Sequence, residues 1–240
     1  MENEQKTEKI NISEHLAELR TRLIKCSIAV LSGFILCYIF KEKIFYILVK
    51  PLTKALGENN TIIFTGIPEA FFTYIKTALL SGIIVVLPFI FYQFWKFIAP
   101  GLYTKEQKTI IILTFLSIIF FSAGASFGYF FVFPYGFKFL LAFANENIRA
   151  LPSMKEYFTF ASKLLFAFGM AFELPLLLTG LAKMGIASSS FFKKNRKYAI
   201  LIFFTFAAII TPPDVVTQIM MAVPLIILYE LSIIGAKIFE

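Results

Sequence analysis

The chain offers little to a metal or a reaction centre. Its 240 residues hold one histidine, His15, one aspartate, Asp214, and two cysteines, Cys26 and Cys37. A protein-held metal needs several such groups close together, so no metal and no cofactor is expected. The two thiols stand eleven positions apart in one apolar run, about 16 Å along a helix and too far for a disulfide. They read as packing residues. A single histidine outside the apolar runs cannot complete a hydrolytic triad, and a lone aspartate cannot form an aspartyl dyad, which excludes an intramembrane protease. A glycine-rich nucleotide loop, an internal repeat and a low-complexity linker are all absent.

Charge is scarce as well. Only 16% of positions are charged against 58% hydrophobic, phenylalanine alone accounts for 31, and mean hydropathy is +0.78. A soluble domain of this length needs more polar surface, so the solvent here is lipid and residues 1–240 form a single membrane domain. The net charge of +8 does not point to nucleic acid. Its lysines and arginines stand at the ends of apolar runs, where membrane topology accounts for them.

Six spans are expected, at about 23–40, 77–95, 109–133, 158–182, 198–211 and 215–233, after a cytoplasmic amphipathic segment over 1–22. The first run carries Lys25 near its start and lacks a small-residue cleavage site, so it is a retained span and not a signal peptide. The last two uncharged runs have 14 and 15 residues; at ~1.5 Å per residue they fall short of a hydrocarbon core of about 30 Å. Two short spans fit better than a re-entrant hairpin, because Lys197 and Lys237 then flank them naturally. The fold class is all-α, polytopic, with short helices 5 and 6. Of the 23 Lys and Arg residues, 14 fall on the side of the N-terminus and nine on the other. That bias puts both termini in the cytoplasm.

Several segments have a legible local form. "KIFYILVKPLTKAL", residues 43–56, reads as an interfacial amphipathic helix bent by Pro51. Gly124 and Gly128, four apart, suit a helix-contact surface. "NISEHLAELRTRL" offers Asn11 or Ser13 as a cap and feeds an amphipathic helix into the first span. In it Glu14, Glu18 and Arg22 are spaced as an ion-paired solvated face, or Glu18 is offered to a basic ligand. Pro100-Gly101 predicts a turn, and Thr104 with Gln107 a capping box that puts Glu106 in a first helical turn beside Phe94, Trp95, Phe97 and Tyr103. Glu173 is the one charge between Lys163 and Lys183. An acid at that depth costs a few kcal/mol and needs a partner, a cavity or a proton. Pro175 loosens the helix just beyond it. Gln218 is the other polar side chain at depth, able to bond across helices within the fold or to a docked one.

"HLAELRTRL" at 15–23, "FIAPGLYTKEQK" at 97–108, "AFELP" at 171–175 and "ITPPDVVTQ" at 210–218 stand in an order that resembles the TatC family, the receptor subunits of the twin-arginine protein translocase. The resemblance covers essentially the whole chain. It implies a concave six-helix scaffold in the cytoplasmic (inner) membrane that binds twin-arginine signal peptides of folded proteins and nucleates the export complex. The implied partners are those peptides, single-span TatA and TatB type subunits, other TatC copies and membrane lipid. The implied signal-peptide residues are Glu18, Arg20, Phe97, Pro100, Leu102 and Glu106. Glu173, Thr211 and Gln218 map to intramembrane polar or partner contacts, and Pro51 and Asp214 to structural positions on the periplasmic side. "YTKEQK" is less basic than many versions of that loop, and Glu106 remains in place.

Elementary chemistry agrees. Paired arginines need carboxylate acceptors, and Glu18 and Glu106 both stand at cytoplasmic span entrances. The signal's apolar stretch would lie along a groove leading to Glu173. The alternative is a proton- or cation-coupled secondary transporter using Glu173, against which stands the lack of repeated interrupted helices.

Overall fold

The computed structural model describes residues 2–57, 62–102, 107–144, 150–211 and 214–239, with the backbone alone at 2–14, 99–102, 107 and 239. Among them the only extended pairing is an isolated bridge between Ile63 and Ser153. The rest is helical: α1 (Glu2–Ile39), α2 (Lys41–Leu56), α3 (Glu69–Leu102), α4 (Gln107–Phe127), a π-helical turn (Gly128–Val132), α5 (Phe133–Leu141), α6 (Met154–Phe172), α7 (Leu174–Lys183), α8 (Ser189–Lys194), α9 (Arg196–Ile210) and α10 (Val215–Phe239).

Helix α1 runs unbroken through Asn11 and Ser13, so neither caps a helix start. No glycine or proline interrupts the chain before Gly33, and the amphipathic segment and first span become one rod. Helix α3 likewise continues through Pro100 and Gly101, where a turn was expected. Proline's fixed φ is helical, and so close to a helix end little of the hydrogen-bond ladder is lost.

Five stretches are long and apolar enough to cross a membrane: His15–Ile39, Glu69–Ile98, Lys108–Leu141, Met154–Lys183 and Val215–Ile238. Helix α9, at 15 residues, reaches only about 22 Å. It is the short fifth member of a six-helix fold. The sixth is longer than its uncharged run, because α10 continues past Glu230 to Phe239. Glu230 is tolerated there by its ion pair with Arg196, 2.6 Å away.

The helices pack in a row. α1 lies on α3, α3 on α4 and α6, α4 on α6, α7 on α10, and α10 on α9. Two close approaches set the spacing. Gly33 and Gly82 meet backbone to backbone, so that a Cβ on Gly33 would stand 2.7 Å from the Gly82 carbonyl oxygen. Gly124 admits the Phe168 backbone and the Phe172 ring, and Gly128 the Phe168 ring, as the four-residue glycine spacing predicted. Chain direction changes at Glu173, where α6 ends and α7 begins. Pro175 has no N–H for the carbonyl one turn back, and the bend lets α7 leave α4 and pack on α10.

Helix α2 is amphipathic, but its apolar face meets protein. Leu48, Val49, Leu52 and Leu56 join the main core with Phe133 and Phe137 of α5 and Tyr157 and Phe158 of α6. The helix forms a cap over the bundle and leaves Tyr46 and Ile47 exposed on its other side. Pro51 has a specific part in it. Lacking an N–H, it leaves the Ile47 carbonyl without a helical donor, and the Tyr129 hydroxyl donates to that oxygen at 2.6 Å. The Tyr157 hydroxyl serves the neighbouring Leu48 carbonyl at 2.5 Å.

On the same face Glu69 ties the cap together. Its Oε1 accepts from the Ser153 hydroxyl at 2.7 Å and the Lys155 backbone N–H at 2.8 Å. Its Oε2 accepts from the backbone N–H and hydroxyl of Thr65 and from the Gly66 N–H. Five donors on one carboxylate join the loop before α3 to the start of α6.

Candidate functional site

The start of α1 and the end of α3 meet at one end of the bundle. Glu18 is 42% exposed, and its Oε1 accepts from Nε and Nη2 of Arg22, one turn along the same helix. Arg22 is only 13% exposed, and its Nη1 donates to Gln93 Oε1 of α3 at 2.9 Å. The guanidinium thus fastens Glu18 to the neighbouring helix. The second carboxylate oxygen, Oε2, lies 3.9 Å from His15 Nδ1, outside hydrogen-bond range. His15 in turn stacks on Phe97, with ring centroids 4.3 Å apart and planes within 14°. The result is a half-exposed carboxylate with one oxygen held and the other, among the described residues, without a hydrogen-bond partner, beside an aromatic wall. Arg20 is exposed on the same stretch of α1. Pro100 and Leu102 belong to the last turn of α3, with side chains outside the described residues. Glu106 itself lies outside them.

Deeper in the bundle a polar chain crosses three helices. Trp95 Nε1 donates to Ser117 Oγ at 2.9 Å, and Ser117 Oγ donates to Glu173 Oε2 at 2.9 Å. Glu173 is 3% exposed, and its Oε1 has no hydrogen-bond partner. Its side chain therefore faces the interior between α3, α4 and α6 and not an open wall. Next to it the bend at Pro175 leaves a wedge of about 360 Å³ between α4 and α7. The wedge is walled by Ile112, Leu113, Leu116, Phe120 and Leu176 and reaches from Thr109 to Pro175.

The turn between α9 and α10 is closed by its own side chains. Asp214 accepts from the Thr217 N–H at 2.7 Å and from its hydroxyl at 2.5 Å, starting α10. Gln218 Nε2 donates to the Phe204 carbonyl at 3.1 Å. Thr211, 6% exposed, donates to the Ala207 carbonyl at 2.9 Å. Of the two options open for Gln218, the structure shows the bond within the fold.

A family model for the Sec-independent protein translocase protein (TatC) matches residues 14–224. A relative of that name from Desulforapulum autotrophicum is 62% identical over 232 residues, covering 97% of this chain and 86% of its own. Another, from Aquifex aeolicus, is 43% identical over 229 residues, covering 95% of each. The chain belongs to the TatC family. A crystal structure of the twin arginine translocase receptor TatC shares the fold with a TM-score of 0.85 at 43% identity, covering 94% of this chain and 99% of that one. Nothing in these comparisons supports a secondary transporter.

Three polar residues of the structure, Gln93 and Ser117 at the candidate site and Glu69 in the cap on the opposite face, were not visible beforehand. Gln93 stands near the end of an uncharged run where a lone amide was the only hint. Ser117 is one of several serines and threonines in its span, and no pattern distinguishes it. Glu69 falls just before the second expected span, and only its position after Pro68 at a helix start marked it.

Proposed function

We propose that this chain is the receptor subunit of a twin-arginine translocase in the cytoplasmic membrane, with both termini in the cytoplasm. It acts by binding and not by catalysis. The observation that carries the reading is Glu18, held by Arg22 on one oxygen and open on the other beside His15 and Phe97. An arriving guanidinium pairs with that open oxygen, and Glu106, from the loop joining α3 to α4, takes the second arginine. Arginine suits the site better than lysine because its planar fork can bond a carboxylate through two N–H groups while stacking on Phe97. Pro100 and Leu102 shape the same rim, and Arg20 borders it.

The signal's apolar stretch then lies in the wedge between α4 and α7. From Thr109 to Phe120 is eleven residues, or about 17 Å of helix, which suits an h-region of about 7–15 residues. Its inner end reaches the level of Glu173, whose buried carboxylate turns from Ser117 to meet a polar group of an inserted helix. Single-span TatA and TatB type subunits and further TatC copies complete the complex, with the half-buried Gln218 near the start of α10 as a polar contact and Thr211 packed inside the fold behind it. Pro51 and Asp214 keep the opposite face in shape.

The deciding experiment is capture of the purified full chain by a signal peptide carrying Arg-Arg against the same peptide carrying Lys-Lys. Selective capture by Arg-Arg, lost in Glu18→Ala and in Glu106→Gln while both variants still insert, is the expected result. Equal capture by the two peptides overturns the reading.

A further inference from the structure

At the start of α3, on the face of the bundle opposite the first residues of α1, Thr65, Gly66, Pro68, Phe72, Lys76 and Lys155 line an open cavity of about 400 Å³. Its walls are fixed by Glu69, whose two oxygens are fully engaged by Thr65, Gly66, Ser153 and the Lys155 N–H. Both lysines are exposed, and among the described residues neither is ion-paired. The cavity therefore presents two ammonium groups against one carboxylate whose charge is already met by five donors. Its lining carries a net positive charge.

Its depth follows from the α1–α3 contact. Gly33 and Gly82 touch, and the helices run antiparallel. Six residues on from that contact, about 9 Å, stand Ile39 at the end of α1 and Lys76 on α3. Lys76 is thus level with the end of the first apolar span. The seven residues from Lys76 back to Glu69 rise about 10 Å. A headgroup layer is about 5–7 Å thick on each side of the hydrocarbon, so the part of the cavity from Lys76 to Phe72 stands within it and the part at Glu69 reaches the water beyond. Phe72, 53% exposed, lies between the two levels. A lysine stem lies along apolar surface while its ammonium reaches the polar layer. The anion that a membrane presents at this height is a lipid phosphate.

We propose that this cavity binds the phosphodiester of a phospholipid in the leaflet opposite the N-terminus. The phosphate is shared by the ammonium groups of Lys76 and Lys155, and Phe72 lies against the glycerol and first methylenes. Such a lipid anchors the cap formed by α2, the loop before α3 and the start of α6 to its leaflet.

The test uses the full chain in detergent, loaded with phosphatidylglycerol, with retained lipid counted by native mass spectrometry. Lys76→Gln with Lys155→Gln should lower retention of one lipid by about thirtyfold, two cations at a membrane surface being removed. Lys76→Arg with Lys155→Arg should keep it, as should Lys43→Gln with Lys54→Gln, a pair of exposed lysines on α2. Equal retention in the two glutamine pairs overturns the proposal. So does displacement of the lipid by millimolar inorganic phosphate, which would mark a site for the soluble anion instead.

Discussion

Glu18 and Glu173 show how far surroundings decide what a carboxylate does. Glu18 shares one oxygen with Arg22 and keeps the other open. Because the pair is partly exposed, its strength is discounted to ~0.2–1 kcal/mol. Arg22→Leu should therefore weaken a twin-arginine peptide by no more than about fivefold, whereas Glu18→Ala should remove measurable binding. Fluorescence anisotropy with a labelled peptide separates the two. The Glu173 carboxylate has Ser117 as its one hydrogen-bond partner among the described residues, and Ser117 also serves Trp95. Ser117→Ala strands both groups, a loss of about 1–3 kcal/mol. A thermal melt in detergent should show it, with Ser122→Ala as the control outside that chain.

At the scale of elements, helix contacts place the side chains. The α1–α3 contact at Gly33 and Gly82 holds His15 against Phe97 some four to five turns away. Gly82→Leu has no room for its side chain and should part the two helices. In a His15→Cys, Phe97→Cys background the disulfide should form readily with Gly82 and poorly with Leu at that position, and peptide affinity should fall with it. On the opposite face, Tyr129 serves the carbonyl that Pro51 leaves free. Tyr129→Phe should cost about 0.5–1.5 kcal/mol. The loss should shrink in a Pro51→Ala background, where residue 51 regains an N–H for Ile47. A double-mutant cycle on Tm reads that coupling.

At the scale of the whole molecule the claim is one of sidedness. The N-terminal part of α1, the end of α3, α8 and the end of α10 share one face, and α2, the Glu69 cap and the α9–α10 turn share the other. Arg20→Cys and Lys237→Cys should label together from the cytoplasmic side, and Lys43→Cys from outside, with a membrane-impermeant maleimide on intact and opened cells. Labelling of positions 20 and 237 from opposite sides would break the six-helix arrangement. The short α9 against the long α6–α7 pair makes the bundle uneven in height, so the bilayer must thin on that side or α9 must be screened by a partner.

Hydrocarbon content, the uncharged runs and four ordered motifs were enough to establish a multi-span TatC chain and to single out Glu18, Phe97 and Glu173. These are one-dimensional properties, carried by which residues follow which. Tertiary structure alone decided that Gln93 holds Arg22 beside Glu18, that Glu173 turns inward to Ser117, that α2 covers the core, and that Glu69 closes a cap beside two lysines. In each case the partner comes from another helix, 56 to 86 positions away for Gln93, Ser117, Ser153 and Lys155. No local pattern encodes which serine or amide among several will arrive there. Packing does, through glycines that let particular helices touch and prolines that turn them.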